Sequence, residues 1–327
     1  AGGGGCGEPA RFTLMTFNVE EYCHGESRGS RRERALEIAA GIRRIVEAHA
    51  PDVLCLEEHS LGGGEFTEEE ILAAVAGGLG YDHTSEATGE RAWYSELANA
   101  VLWKRGTFAL ERSWGVRLAG KGVEGPARDY TPRSAACAEL RHSSSGRRVT
   151  VCATHLLGGR FEDTVFVKEA RAEQNMRVEQ ARRLASSVRE TCGESTPSVI
   201  AGDFNVMLDG YGEQSPFRKA ALDYFNGKLL GAALAKAQGA SRDEFTFDGF
   251  YVPFQTRVHG ILSDELGYRR AYGRSDASSE MKTTFYAGCI DWIYIRHLQS
   301  MRDEKVVSAI QEGLSDHNAV LVTLQFE

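Results

Sequence analysis

Apolar side chains recur along the chain with two periods, and these periods predict an alternating series of strands and helices. Short apolar or alternating runs predict strands over residues 12–18, 53–56, 99–103, 135–140, 149–154, 198–201, 290–295 and 318–326. Helical spacing or composition predicts helices over residues 31–49, 168–190 and 216–237. This order of elements indicates mixed sheets covered by helices, an α/β sandwich in one domain.

Capping, turn and breaker residues indicate where several of these elements begin and end. Thr67 followed by Glu70 forms a capping box, which begins a further helix that Gly77 and Gly78 end. A Ser-Ser-Ser-Gly turn at 143–146 predicts that the strands on its two sides are joined. Glycines, mixed charge and low periodicity predict a loop over 114–132, and residues 240–288 are polar and turn-rich.

The composition is that of an ordinary globular protein. Of 327 residues, 42% are hydrophobic and 26% are charged, which allows a substantial core. No run of eighteen apolar residues occurs, so we expect no membrane span and no stable membrane association. The net charge of −8 gives no support for a basic surface that grips duplex nucleic acid, without excluding such a substrate. We interpret the arginine-rich segment 28–44 as a solvated helix face.

The cysteines and the first residues bear on the compartment. Seven cysteines make an odd number, and none has zinc-type spacing, so we expect no disulfide framework. Cys55 and Cys152 lie in apolar runs, where cysteine acts as a small hydrophobe. We therefore expect a reducing, intracellular compartment, cytoplasmic or nuclear. Separately, we expect a monomer. Residues 1–10 are glycine-rich without the pattern of a signal peptide, and they predict a flexible tail.

Residues that can bind a cation or a phosphate lie at the ends of predicted strands. They are Asn18, Glu58, His155, Asp203 with Asn205, Asp291, and Asp316 with His317. Carboxylate and amide oxygens are the ligands that Mg²⁺ prefers, and a sheet holds strand-end side chains in defined positions. Singly, each residue also fits a turn or the surface. Together they predict a site that holds a hard divalent cation and cleaves a phosphate ester.

Two of these motifs indicate more specific chemistry. Asp203 and Asn205 would point to the same side of an extended chain, where one orients a water and the other holds a phosphate oxygen. The alternative is an Asx turn that caps a helix. A histidine beside carboxylates, such as His317 after Asp316, favours its protonated form, and an imidazolium stabilises the charge growing on a phosphorane oxygen. Asp291 is a candidate to orient that ring.

In this order the motifs resemble those of the endonuclease/exonuclease/phosphatase superfamily, the deoxyribonuclease I-like fold. The resemblance extends from Asn18 to His317 and covers nearly the whole chain. Smaller agreements are found at Asn99, Arg133, Arg177 and Gln180. The resemblance implies an α/β fold of the α+β type, a four-layer α/β sandwich with two packed mixed β-sheets flanked by helices. It implies one such domain over residues 11–327.

The resemblance also implies a metal site. Asn18 and Glu58 would bind the catalytic Mg²⁺, or Mn²⁺ as a substitute, with Asp316 as a further ligand or a group just behind the ligands. The chain departs from the family where Glu57 replaces a common Gln before the metal-binding Glu. This extra carboxylate either alters metal preference or faces outward. Shortly after Asn18, where many nucleases of the family carry a single Asp, this chain has Glu20, which is a candidate to support the metal ligands.

Catalytic roles follow from the same resemblance. Asp203 would position and activate the attacking water, and Asn205 would contact the scissile phosphate. His317, oriented by Asp291, would stabilise the pentacovalent transition state. His155 would touch phosphate oxygens. Two further phosphate contacts are implied for Asn99 and Arg133.

The leading hypothesis is a Mg²⁺-dependent phosphodiesterase that acts on nucleic acid, a nuclease-like hydrolase, with DNA and RNA both open. The alternative is an inositol-polyphosphate phosphatase or a sphingomyelinase-type phosphodiesterase. A binding module that kept the fold without activity is disfavoured, because every expected catalytic position carries a competent side chain. Substrate choice in such folds lies mainly in loops, which one sequence does not decide.

Overall fold

The computed structural model describes residues 9–25, 30–62, 65–91, 96–158, 170–206, 257–272, 282–284 and 289–327. Its main helices are α1 Arg31–His49, α2 Glu68–Ala76 and α3 Ala170–Cys192. Its strands are β1 Arg11–Asn18, β2 Val53–Ser60, β3 Tyr81–Arg91, β4 Glu96–Lys104, β5 Phe108–Ala119, β6 Arg133–His142, β7 Arg148–His155, β8 Ser198–Asp203, β9 Arg269–Arg270, β10 Asp291–Arg296, β11 Leu298–Ser300, β12 Lys305–Val307 and β13 Ala319–Phe326. The predicted helix 216–237 and most of the polar, turn-rich stretch 240–288 lie outside the described residues.

The strands form two mixed sheets, and each sheet is built around one parallel pair. The first has the order β11–β13–β1–β2–β4–β3, with β12 also paired to β13, and the second has the order β5–β6–β7–β8–β10–β9. β1 is parallel to β2, and β7 is parallel to β8. Because parallel neighbours need a crossover, α1 lies between β1 and β2 in the chain and α3 lies between β7 and β8.

The two sheets pack face to face with helices outside them. Successive strand residues point to opposite faces, so Leu14 joins the core between the sheets while Met15 joins the core beneath α1 and α2. Ile38 and Ile42 of α1 are fully buried on that outer side, and burying such a side chain stabilises a fold by about 1.5–3 kcal/mol. The four-layer α/β sandwich predicted from the sequence is confirmed. Among the described helices, none is both long enough and apolar enough to cross a lipid bilayer.

Local capping chemistry sets the helix ends, as the sequence predicts. The Thr67 hydroxyl accepts a bond from the Glu70 backbone N–H at 3.2 Å, and the Glu70 carboxylate accepts one from the Thr67 N–H at 2.9 Å. Gly77 is the C-cap of this helix. The range 31–49 predicted for α1 agrees with the structure, where Ser30 provides a second capping box.

The prediction of a loop over 114–132 is wrong in its first part. β5 continues to Ala119 and pairs with β6, and a single 3₁₀ turn follows at Gly125–Asp129. No pattern predicted β3, which pairs with β4 and is the outermost strand of the first sheet. Both are edge strands, and β5 also contains register shifts. Edge strands expose polar side chains and lose strict alternation at bulges, so their hydrophobic signal is weak.

A disulfide joins Cys137 of β6 to Cys152 of β7, where none was expected. The two residues are direct partners in the antiparallel ladder and both are fully buried. Cysteine spacing along the chain does not reveal cross-strand neighbours, which explains the error. Because disulfides persist mainly in oxidising environments, the cysteines no longer support the reducing compartment that the sequence analysis favours.

Gly202, the residue before Asp203, provides a test of how tightly the second sheet is built. It has φ +141°, and a Cβ there would lie 1.9 Å from the Thr154 carbonyl oxygen on β7. Gly202→Ala should therefore lower the free energy of unfolding by at least about 2 kcal/mol. Gly106→Ala is the control, because no atom lies within 4 Å of its added Cβ. Equal denaturation midpoints for the two variants would contradict this packing.

Candidate active site

The ends of the central strands meet at one edge of the paired sheets. β1 ends at Asn18, β7 ends at His155 and β8 ends at Asp203, while Glu58 lies near the end of β2. Ligand sites of α/β sheets form beyond the carboxyl ends of parallel strands. β10 is antiparallel to β8 and begins at the same edge, where Asp291 is the direct partner of Asp203. The topology thus gathers side chains from both sheets.

Carboxylates from the two sheets contact the same side-chain amide and the same imidazole ring. The Asn18 Nδ2 donates to Glu58 Oε1 at 3.1 Å and to Asp203 Oδ2 at 3.2 Å. The His155 ring lies between the same carboxylates, with Nδ1 3.6 Å from Glu58 Oε1 and Nε2 3.6 Å from Asp203 Oδ2. Glu58, His155 and Asp203 offer donor atoms within 4.8 Å of one another, an arrangement that can hold a metal ion.

His317 adds a buried cation to this group. Its Nδ1 lies 2.9 Å and 3.0 Å from the two carboxylate oxygens of Asp291, and its Nε2 lies 3.8 Å from both Asp203 Oδ2 and Asp316 Oδ1. Burial alone would lower the pKa of His317, but the Asp291 carboxylate, followed by Asp203 and Asp316, raises this pKa well above its ordinary value. The ring is therefore held as an imidazolium whose Nε2 faces the carboxylates.

Burial and crowding raise the proton affinity of the acids. Burial raises the pKa of Asp203 to about 7, and the negative charges of Asp291 and Glu58 add to this effect. Burial likewise raises the pKa of Glu58 to about 7, with Asp316 adding to it. The site brings four carboxylates, those of Glu58, Asp203, Asp291 and Asp316, around the rings of His155 and His317. Oxygen donors of this kind suit Mg²⁺ or Mn²⁺, and the residues present fit such an ion.

The Asn18 amide is oriented by hydrogen bonds on both sides. Its Oδ1 accepts the backbone N–H of Glu20 at 3.0 Å, so its nitrogen rather than its oxygen faces the carboxylates. A metal-ligand role for Asn18 therefore requires the amide to turn, and it stays a prediction. Glu20 in turn accepts the backbone N–H of Asp316 at 3.0 Å, which ties the turn after β1 to the loop before His317.

Glu57 points into the protein beneath the site. Its side chain is completely buried, one carboxylate oxygen accepts the Thr16 hydroxyl at 2.8 Å, and the other oxygen has no hydrogen-bond partner among the described residues. Burial raises its pKa well above the ordinary value, and Asp291 and Asp203 raise it further. The alternative that Glu57 faces outward is wrong, and its effect on metal preference stays a prediction.

Asp203 and Asn205 are not arranged on an extended chain. Asn205 has φ +51°, and its backbone N–H donates to Asp203 Oδ1 at 2.8 Å. This is an Asx turn, as in the alternative given above; the helix that it would cap lies outside the described residues. The turn leaves Asp203 Oδ2 facing Asn18 and His155. The Asn205 Nδ2 donates to the Leu156 carbonyl at 3.1 Å.

The residues predicted to contact phosphate lie beside this group of carboxylates, and their side chains contact other groups of the protein. Arg133 donates to the Glu90 carboxylate and, at 3.0 Å, to the Pro132 carbonyl. Burial lowers the pKa of His155 well below its ordinary value, and the charge of Arg133 lowers it further. Asn99 is fully buried and donates to the Ser134 carbonyl at 2.8 Å. The phosphate-binding roles of Asn99 and Arg133 stay predictions.

Some residues that support the site received no role from the sequence. The Ser315 hydroxyl donates to the Asn18 carbonyl at 2.8 Å and accepts the His317 N–H at 3.0 Å. Only its place beside Asp316 and His317 in the chain signalled its importance. Gln180 accepts the Leu157 N–H at 2.9 Å, and Arg177 donates to the Leu157 carbonyl at 2.5 Å, so α3 holds the segment that follows His155.

The sequence profile of the Endonuclease/Exonuclease/phosphatase family matches residues 15–317. The chain belongs to this family, whose members are typically hydrolases of phosphoester bonds. No curated protein matches the chain.

Solved structures share the fold at low identity. The human Nocturnin catalytic domain with bound sulfate anion is 17% identical, with 97% of this chain and 95% of that chain covered and a TM-score of 0.61. D. rerio TDP2 complexed with single strand DNA product is 13% identical, with 97% and 99% covered and a TM-score of 0.57. The Bacteroides thetaiotaomicron mannosyl-6-phosphatase Bt3783 is 16% identical, with 96% and 100% covered and a TM-score of 0.55. At these identities the likeness establishes the fold alone.

The His317–Asp291 pair predicts a defined pH dependence. In metal-free protein, Asp291→Asn should lower the pKa of His317, which a ring-proton NMR titration measures. A raised histidine pKa contributes stability that is fully present below the unfolded pKa of about 6.5 and is lost as the pH rises through the folded pKa. The wild type should therefore exceed Asp291→Asn in unfolding free energy most clearly near pH 6, and less as the pH increases.

The matched control for this titration is Asp82→Asn, which removes an exposed carboxylate that pairs with Arg105. This variant should leave the His317 titration unchanged. A His317 pKa that is the same in wild type and Asp291→Asn would show that Asp291 does not hold the ring protonated.

Proposed function

We propose that this protein is a divalent-cation-dependent phosphoric ester hydrolase, and within that class a phosphodiesterase that acts on nucleic acid. The observation that carries the proposal is the convergence of Asp203, Glu58, His155 and the His317–Asp291 pair within 4 Å contacts. This group combines acids whose pKa burial raises to about 7 with a buried histidine, so it can supply a base for an attacking water and a donor for phosphate oxygens.

Asp203 is the proposed general base. A base is most effective when its pKa lies near the working pH, and burial raises the pKa of Asp203 to about 7. The Asn205 N–H holds Oδ1. Oδ2 accepts one bond from the Asn18 amide and keeps a second lone pair that can accept a proton from water. The water oxygen then bonds to phosphorus, and the bond from phosphorus to the leaving oxygen breaks.

His317 is the proposed stabiliser of the charge that develops on the phosphate oxygens. Asp291 fixes the ring through Nδ1 and keeps it protonated, which leaves the Nε2–H to donate toward the reacting phosphate. A donor that is already oriented stabilises a transition state without reorganisation. Further phosphate contacts are proposed for His155, Asn205, Asn99 and Arg133.

The proposed cation ligands are Glu58 and Asp316, with Asn18 after its amide turns. Mg²⁺ is the proposed ion and Mn²⁺ its substitute, because oxygen donors suit both. When bound, such an ion polarises the phosphoryl oxygen and eases departure of the leaving group.

Nucleic acid is the proposed substrate class because the ordered strand-end motifs resemble those of nucleases, and a TDP2 structure with a single strand DNA product shares the fold. A phosphatase on a sugar or inositol phosphate is the second candidate, since a mannosyl-6-phosphatase has the same fold. Labelled single- and double-stranded DNA, RNA, inositol phosphates, mannose 6-phosphate and sphingomyelin should be incubated with Mg²⁺, Mn²⁺ or EDTA. Turnover of none of them would favour a non-catalytic binding role.

Asp203→Asn tests the general base on whichever substrate the panel identifies. We expect a fold like that of the wild type and a loss of turnover of at least roughly 10²–10⁴-fold, because the water is neither deprotonated nor oriented. Asp264→Asn, an exposed change, should retain full activity. Near-wild-type turnover by Asp203→Asn would remove this residue from the mechanism.

Glu58→Gln tests the metal site. Loss of the negative charge should raise the Mg²⁺ concentration required for half-maximal activity by about 10-fold or more, since even groups behind the ligands change metal affinity by about 10–100-fold. Glu69→Gln, on the exposed side of α2, should leave the Mg²⁺ titration unchanged. An unaltered titration for Glu58→Gln would refute its role as a ligand.

A further inference from the structure

The turn that follows Asn18 is held in an unfavourable backbone conformation. Glu20, Glu21 and Tyr22 have φ values of +47°, +55° and +54°, three consecutive non-glycine residues in the left-handed region. Such residues clash with their own backbone and persist only where the surrounding structure holds them. Arg31 provides part of this hold, because its guanidinium donates to the carbonyls of Glu21 and Tyr22.

A second irregularity lies opposite, on β2. Glu58 has φ +51°, and the pairing of β2 with β4 shifts register between Leu56 and His59. This bulge interrupts the regular alternation of β2, so that Glu57 reaches the buried space beneath the site while the Glu58 carboxylate contacts Asn18. The position of Glu58 therefore depends on what holds the bulge in place.

One side chain connects the two irregular segments. The His59 ring is completely buried, with Nδ1 2.8 Å from the Tyr22 hydroxyl and Nε2 3.1 Å from Glu68 Oε1 at the start of α2. The tautomer with its proton on Nε2 satisfies both contacts, because Nε2 then donates to the carboxylate and Nδ1 accepts the proton of the Tyr22 hydroxyl. In this tautomer the hydrogen bonds run from Tyr22 through His59 to Glu68.

We propose that Tyr22, His59 and Glu68 are positioning residues for the cation site, a hydrogen-bonded chain from two buried rings to a partly exposed carboxylate that sets the turn after Asn18 against the bulge that carries Glu58. The inference rests on the proposed function, because it assigns these residues a role in binding the metal ion. None of the three touches substrate or reacting atoms. Their effect is to fix the backbone that carries Asn18 relative to the backbone that carries Glu58.

Calorimetric titration of the metal-free, full-length protein with Mn²⁺ tests this role without relying on turnover. Tyr22→Phe removes only the hydroxyl and should raise the Kd for Mn²⁺ by about 10-fold, within the range typical of groups that orient metal ligands. Tyr268→Phe is the matched control, since it also removes a buried tyrosine hydroxyl, one that accepts a bond from Ser198 at 3.0 Å. It should change the Kd by less than twofold.

Changes at the other end of the chain separate positioning from general destabilisation. Glu68→Gln keeps an oxygen that accepts from His59 Nε2 and should bind Mn²⁺ within about threefold of wild type, whereas Glu68→Ala should weaken binding about 10-fold. Circular dichroism and thermal unfolding identify the variants that are folded, and Glu68→Ala carries the test if Tyr22→Phe does not fold.

The outcomes distinguish this inference from the function on which it rests. Wild-type protein that binds no Mn²⁺, or binds it equally well after Glu58→Gln, overturns the metal site and with it the positioning role. Wild-type protein whose binding depends on Glu58, together with folded Tyr22→Phe or Glu68→Ala that binds as tightly as wild type, overturns the positioning role alone.

Discussion

Several buried carboxylates lie together where the central strands of both sheets end, and the rest of this structure depends on that constraint. Glu57, Asp203 and Asp291 are almost completely removed from solvent, and burying charges of like sign is costly unless they are paired. The imidazolium of His317 balances part of this charge, and the Asn18 amide bridges two of the acids. Burial also raises the pKa values of Asp203 and Glu58 to about 7, so the acid–base role proposed for Asp203 falls near neutral pH.

The sandwich fold brings these carboxylates together because both sheets contain the same arrangement of strands. A parallel strand pair with a helical crossover lies at the centre of each sheet, and their carboxyl ends face the same edge. At that edge the backbone leaves regular geometry at Glu58, at Asn205 and in the turn Glu20–Tyr22. Such departures re-aim side chains that a regular strand would direct elsewhere. Five of the eight non-glycine residues that have a positive φ in the described part of the chain lie at this edge; the other three are Ala50, His297 and Arg302.

Elements with local signals were predictable from the sequence. The capping box of Thr67 and the helical spacing over 31–49 depend on contacts within a few residues, so pattern alone defines these elements. β3 and β5 were not predicted, because an edge strand does not need an alternating apolar face. The Cys137–Cys152 disulfide was not predicted for a related reason, since it depends on the register between two strands. Pairing between strands is information that periodicity does not contain.

The sequence by itself determined the order of the strand-end motifs and hence the family, the layered fold and the type of chemistry. Tertiary structure decided how those residues meet: which atom of Asn18 faces Asp203, 185 positions away in the chain, that Glu57 lies inward, and that Tyr22 bonds to His59. The physical reason is that residue type and spacing report local preference. Distances of a few ångströms between remote side chains depend on the packing of two sheets and on a few left-handed residues.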